Sequence, residues 1–259
     1  MATRSLIFFD IDGTLLDEHK QLPQTTKEAV FRLKEAGHIV AIATGRAPFM
    51  YEDLRKELDI DSYVSYNGSY VVIEGEVIFK NALHKPDLLA LAKEGLANDH
   101  PIVFMDEYDM RANVPNHNSI NESIESLKIG VFPSYDPLYH EGRDLYQSLF
   151  FCTEDELQSY EQNYPSFDFV RWHPLSVDVL PSGGSKAKGI QEAVKRLGFD
   201  EDHVYAFGDG LNDVEMLTSV KNSVAMGNGV PEAKEVASFV TKDVADDGLL
   251  HGIKEMGLL

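Results

Sequence analysis

Cysteine and positive charge are the two scarcities of this 259-residue chain, which has one Cys and 23 basic residues against 43 acidic ones. A lone cysteine, Cys152, excludes an intramolecular disulfide and a thiolate metal cluster and suits a reducing compartment. Within Leu149-Phe150-Phe151-Cys152 it is expected to be a small buried hydrophobe. The formal charge of -20 argues against a nucleic-acid partner, because no basic stripe exists to replace phosphate counterions. No apolar stretch approaches the roughly 18 residues of a membrane span, and Asp10 arrives too early for a signal-peptide core. A cytoplasmic protein without a membrane partner is therefore expected. A Gly-x-x-x-x-Gly-Lys-Ser/Thr loop is also missing, which argues against nucleoside triphosphate chemistry. The chain does have a 43% hydrophobic and 25% charged composition, enough for one large or two medium domains.

The first segment alternates strand and helix patterns. The apolar run Leu6-Ile7-Phe8-Phe9 reads as a buried strand, and Thr25-Thr26-Lys27-Glu28 reads as a capping box before Ala29, Val30, Leu33 and Ala36 at helical spacing. Ile39 to Ala43 is a continuous apolar run, as in a parallel strand covered on both faces. Pro48 can start a second helix, and a further strand follows at Tyr63 to Tyr66. Repeats of this length predict an α/β fold with a doubly wound parallel sheet. Around Gly75 the rhythm changes to a hairpin, and residues 84–180 mix helices and strands in an α+β order. That stretch carries 17 acidic and 6 basic residues, a net of -11, so it is poorly suited to gripping a highly charged ligand. The parallel pattern resumes after Ser185. The expected organisation is a core domain of residues 1–82 and 182–259 and an inserted α+β domain of residues 83–181.

In open α/β sheets, reactive groups collect beyond the C-terminal ends of the strands. Four segments sit at such places. Asp10-Ile11-Asp12-Gly13-Thr14 follows the first strand, with two carboxylates that cost much to desolvate unless a cation lies between them. Thr44-Gly45-Arg46 places a hydroxyl and a glycine at the next strand end. Gly184-Ser185-Lys186 opens a helix, where free backbone N–H groups and a lysine make an anion site, with Lys188 as the competing lysine. Gly208-Asp209-Gly210-Leu211-Asn212-Asp213 adds two carboxylates and an amide on a glycine turn. Each segment alone is an ordinary turn or cap; their order and placement together point to one site.

In these four segments the chain resembles the haloacid dehalogenase-like hydrolases, and the Thr44-Gly45-Arg46 form with a roughly hundred-residue insertion is similar to the Cof-type branch with a C2 (IIB-like) cap. The resemblance implies a phosphatase with an aspartyl-phosphate intermediate. Asp10 would be the nucleophile and Asp12 the general acid and base. Thr44, Gly45, Lys186 and Asn212 would bind the phosphoryl group. A Mg²⁺ cofactor would be held by Asp10, the Asp12 carbonyl and Asp209, with Asp213 behind it. A second-position aspartate implies phosphate esters as substrates, so the implied partner is a small phosphorylated metabolite such as a sugar phosphate or phosphorylated cofactor. Candidate substrate selectors are Arg46, Asn67 and Gly68 on the core side and Arg171, Trp172 and His173 near the return from the insertion. A phosphomutase of the same superfamily and a non-catalytic phospho-ligand-binding regulator are the rival expectations; the intact Asp10, Asp12, Lys186 and Asp209 set speaks against the second.

Overall fold

The computed structural model describes residues 4–127 and 129–259. Two compact units divide the chain. One is built from the residues up to Gly45 with Glu52–Phe79 and Ser185–Leu259, and the other from Arg46–Tyr51 with Lys80–Gly184. The divisions fall at 79/80 and 184/185, against 82/83 and 181/182 read from the sequence. Arg46–Tyr51 also groups with the inserted unit.

The first unit is a doubly wound sheet of eight strands. In spatial order they are Phe239–Val240, Asn222–Ala225, Val204–Gly208, Leu6–Phe9, Ile39–Ala43, Tyr63–Ser65, Tyr70–Ile73 and Glu76–Lys80. The first six run parallel, and the hairpin end reverses where Tyr63 pairs antiparallel with Val72. Glu74 and Gly75 both take positive φ (50° and 80°), the geometry a two-residue hairpin turn requires. Leu6–Phe9 and Ile39–Ala43 are buried throughout because helices cover both faces. One face packs Leu6, Phe8, Ala41 and Ala206 against Ile190 and Ala193 of helix Lys186–Leu197 and Met216 and Leu217 of helix Val214–Ser219. On the other face, helix Gly248–Glu255 brings Gly252 so close to Phe207 and Val224 that an added Cβ would lie 3.0 Å and 3.2 Å from them. Each fully buried Leu, Ile or Phe contributes roughly 1.5–3 kcal/mol, so this core holds the strand ends in fixed register.

The first helix corrects the sequence reading. It spans Gln24–Glu35 with Pro23 at the N-cap and no side-chain cap, so Thr25 and Thr26 lie inside it and Thr26 is buried. Proline's fixed φ (-60° here) starts the helix before the first threonine, and the proposed capping box has no terminus to cap.

The second unit is a six-stranded sheet in the order Phe167–His173, Ser176–Pro181, Gln147–Phe150, Ile102–Met105, Met110–Ala112 and Ser134–Tyr135. All pairings are antiparallel except the last. Helices Lys85–Ala97 and Glu154–Asn163 pack on one face through Leu88, Leu91, Leu157 and Tyr160 against Ile102, Phe104, Phe150 and Val177. Cys152 is buried in this cluster. Among the described residues no helix is long and apolar enough to cross a membrane.

Candidate active site

Three strand ends and one helix start bring the site together within the first unit. Asp10 follows Phe9, and its N–H donates to the Phe207 carbonyl (2.9 Å), so the parallel pairing of the two strands continues to the carboxylate itself. Ser185 caps helix Lys186–Leu197 by accepting the Lys188 N–H, and Lys186 is therefore the first helical residue. Its Nζ lies 2.6 Å from Asp10 Oδ1 and 2.7 Å from Asp213 Oδ1, with the lysine 1% exposed. Asp213 Oδ2 accepts the backbone N–H groups of Asp209 and Gly210, both at 2.9 Å. One buried carboxylate thus ties the lysine to the turn that carries Asp209. Asp209 Oδ1 accepts the Thr14 hydroxyl at 3.0 Å. Gly13 is required where it stands: its φ is +87°, and a Cβ would sit 2.2 Å from Asp209 Oδ2.

The electrostatics follow from burial. Desolvation pushes the Asp10 carboxyl up to about 8, with Lys186 pulling it down and Asp213 and Asp209 adding to the rise. Asp209 is pushed up to about 6, again chiefly by burial, which the Thr14 hydrogen bond partly offsets. Burial by itself would depress Lys186, but Asp10 and Asp213 outweigh it and raise its pKa, so the ammonium stays charged. With all three carboxylates ionised and the lysine charged, the cluster would carry a net charge of about -2, a cost that only added positive charge relieves. Carboxylate oxygens of Asp10, Asp209 and Asp213 lie within 4.8 Å of one another. A hard divalent cation fits this set in charge and in donor type. Asp213 already engages Lys186 and two backbone N–H groups, so Asp10 and Asp209 are the carboxylates better placed to hold an ion.

The other predicted residues are distributed as follows. Thr44 is buried at the end of its strand, with its N–H on the Val64 carbonyl (2.8 Å) and its carbonyl receiving the Asn67 N–H (3.1 Å). Tyr66, Asn67 and Gly68 all have positive φ (53°, 48° and 95°). This turn lays the Asn67 carboxamide over Gly45, whose added Cβ would be 3.1 Å from it, and presses Gly68 onto the Ser185 carbonyl, where a Cβ would fall at 1.9 Å. Asn212 is exposed and folds back over Gly210. Lys188 is exposed, whereas Lys186 reaches Asp10. Asp12 is half-exposed and pairs with Lys20 at 2.6 Å.

Arg46 groups with the second unit, as do Arg171, Trp172 and His173. Arg171 is held by its own neighbours there: Nη1 donates to the carbonyls of Cys152, His173 and Pro174, and Nε to Glu154. His173 Nδ1 shares a hydrogen bond with Ser123 Oγ and accepts the Leu175 N–H. Trp172 lies at the bulge between Arg171 and His173.

Sequence reasoning assigned no role to Thr14, Lys20 or Asn228. The Asn228 carboxamide donates to the Gly13 carbonyl (2.8 Å) and accepts the Val244 N–H (2.9 Å), clamping the Asp10–Thr14 turn to the C-terminal segment. The available signal was Gly227-Asn228-Gly229 just after a buried strand, another strand-end turn of the same kind as Gly208–Asp213.

The sequence and this architecture place the chain in a known class. The family model for haloacid dehalogenase-like hydrolases matches residues 7–253, and the chain belongs to that family. It is 50% identical over 254 residues, 98% of each chain, to YkrA of Bacillus subtilis (strain 168), which carries a provisional phosphatase name. It is similar to a hypothetical protein of Geobacillus kaustophilus HTA426 with known crystal structure, 56% identical with a TM-score of 0.96 over 99% of this chain and 100% of that one. BT4131, described as a subclass IIB sugar phosphatase, matches at 30% identity with a TM-score of 0.83 over 98% of this chain and all of the other.

Proposed function

We propose that the protein is a Mg²⁺-dependent phosphatase that hydrolyses small phosphorylated metabolites, sugar phosphates or phosphorylated cofactors, through an aspartyl-phosphate at Asp10. The observation that carries this reading is the buried Asp10–Lys186–Asp213 chain with Asp209 beside it. A carboxylate approaching a phosphate anion is opposed by roughly 4–5 kcal/mol per charge pair at ~3.5 Å and an effective dielectric of ~20. Lys186 offsets part of that and holds Asp10 by Oδ1, so the nucleophile meets phosphorus in a fixed orientation. Mg²⁺ held by Asp10, Asp209 and the Asp12 carbonyl would supply the remaining positive charge at the phosphoryl oxygens.

In the first step an Asp10 oxygen attacks phosphorus, the ester P–O bond breaks, and the leaving alkoxide takes a proton from Asp12. In the second, Asp12 takes a proton from water as its oxygen bonds to phosphorus. The bond from phosphorus to Asp10 then breaks, and inorganic phosphate leaves. Thr44, Gly45 and Asn212 serve the phosphoryl oxygens during both steps, Asp213 holds Lys186 and the Asp209 turn, and the inserted unit selects the leaving group. BT4131, named for sugar phosphates, supports that substrate class.

The test is phosphate release from an aryl phosphate and a metabolite panel, with Mg²⁺ and with excess chelator. Release that stops on chelation and resumes with Mg²⁺ is expected. Undiminished release in chelator contradicts the metal assignment, and transfer of the group back to the product without free phosphate would make the enzyme a mutase.

A further inference from the structure

Glycine at 227 and 229 leaves Asn228 as the one side chain of a turn pressed between two segments of the first unit. An added Cβ at Gly227 would lie 2.5 Å from the Asp243 nitrogen, and one at Gly229 would lie 3.0 Å from the Asp209 carbonyl oxygen. Main-chain bonds pin the turn on both sides: the Gly227 N–H donates to the Lys242 carbonyl and the Val230 N–H to the Asp209 carbonyl, both at 2.8 Å. The Asn228 carboxamide then uses both of its ends, with Oδ1 accepting the Val244 N–H (2.9 Å) and Nδ2 donating to the Gly13 carbonyl (2.8 Å).

Those contacts close a ring on Asp209. From its carbonyl the path runs through the Val230 N–H and the turn to Asn228, and across to the Gly13 carbonyl. It continues along the chain to Thr14, whose buried hydroxyl returns to Asp209 Oδ1 at 3.0 Å. The other carboxylate oxygen rests against Gly13, on the spot that a Cβ there would crowd at 2.2 Å. Both oxygens of Asp209 therefore take their places from the Gly13–Thr14 peptide, and Asn228 Nδ2 holds that peptide by its carbonyl. Gly13 also directly follows the Asp12 carbonyl, the third group read above as holding the ion, so a rotation of this peptide would disturb two donors together.

We infer that Asn228 is a positioning residue of the metal site: by fixing the Gly13–Thr14 peptide it aims the Asp209 carboxylate at the ion. It acts through Asp209 rather than as a ligand. The inference rests on the proposed reading that Asp209 holds Mg²⁺. Groups that orient a metal ligand commonly carry roughly 10–100-fold of the affinity, because a ligand free to swing has to be ordered when the ion binds.

The experiment is calorimetric titration with Mg²⁺, without substrate, of the wild-type protein, Asn228→Asp, Asn228→Ala, Thr14→Val, the Thr14→Val/Asn228→Ala double variant and Asp209→Asn. Urea denaturation of each in chelator accompanies it. Asn228→Asp keeps an acceptor for the Val244 N–H and loses the donor to Gly13, while the introduced carboxylate by its charge alone favours a cation. The dissociation constant should nevertheless rise about tenfold in Asn228→Asp and in Asn228→Ala. In the double variant the rise should fall well short of the product of the single effects, because both substitutions open the same ring. Tighter binding in Asn228→Asp, an unchanged constant with only the urea midpoint lowered, or losses that multiply would overturn the inference while leaving the metal site in place. An Asp209→Asn variant that binds Mg²⁺ as the wild type does would overturn the metal assignment, and the role of Asn228 with it.

Discussion

If Asp10 and Asp209 hold a metal ion, its binding should displace protons, because burial raises both carboxyls. Without metal, burial holds Asp10 at about 8 and Asp209 at about 6, whereas a divalent ion needs both ionised. At pH 7 those values leave Asp10 mostly protonated and Asp209 mostly ionised, so binding one ion should release about one proton. The apparent affinity for Mg²⁺ should then rise about tenfold per pH unit between the two values, more steeply below about 6, and level off above about 8. Titration calorimetry in two buffers of different ionisation enthalpy reads the proton count directly. Asp10→Asn should remove the release near neutrality and leave only the part due to Asp209 below about pH 6. A dissociation constant that stays flat from pH 6 to 8, with the same heat in both buffers, would refute the argument that burial without a counter-ion raises these carboxyls.

The sign of the same linkage sets stability without metal. An acid whose folded pKa lies above its unfolded value binds more protons in the folded state, so stability should fall as pH rises from about 4 to about 8. Urea denaturation across that range should show the fall with chelator present and its suppression by saturating Mg²⁺. Lys186→Met removes the cation shared by Asp10 and Asp213 and should cost about 3–5 kcal/mol near pH 8 and less near pH 5, where Asp10 is protonated; equal costs at the two pH values would contradict it. Asp10→Asn should fold normally and lose at least ~10³-fold in rate, read as phosphate release. Gly68→Ala meets both a φ of +95° and the Ser185 carbonyl at 1.9 Å, so a loss of more than ~2 kcal/mol is expected by denaturation.

What the sequence made legible was local. Asp10, Asp209 and Asp213 stand at or just past the ends of apolar runs, and Lys186 stands at a helix start, so period and turn chemistry alone place them at one edge of a parallel sheet. The helix beginning at Gln24 was misread because Pro23 and the threonines after it offer competing N-terminal signals, and only the backbone decides between them. Long-range side-chain contacts leave no such trace. Asn228 meets the Gly13 carbonyl across 215 residues, and Lys20 reaches Asp12 only because its loop adopts a left-handed backbone that nothing in the residue type demands. Arg171 shows another contact the residue type does not announce: its guanidinium, near the return from the insertion, donates to three neighbouring carbonyls.

The central claim is that the Asp10 carboxylate carries the phosphoryl group between the two half-reactions. On this account Asp12→Asn should slow the second half-reaction, so this variant, quenched in acid during turnover of 4-nitrophenyl phosphate and reduced with borohydride, should give a peptide with homoserine at position 10 by mass spectrometry. Turnover with the phosphoryl group trapped on a different residue, or with aspartate intact at position 10, would contradict the account.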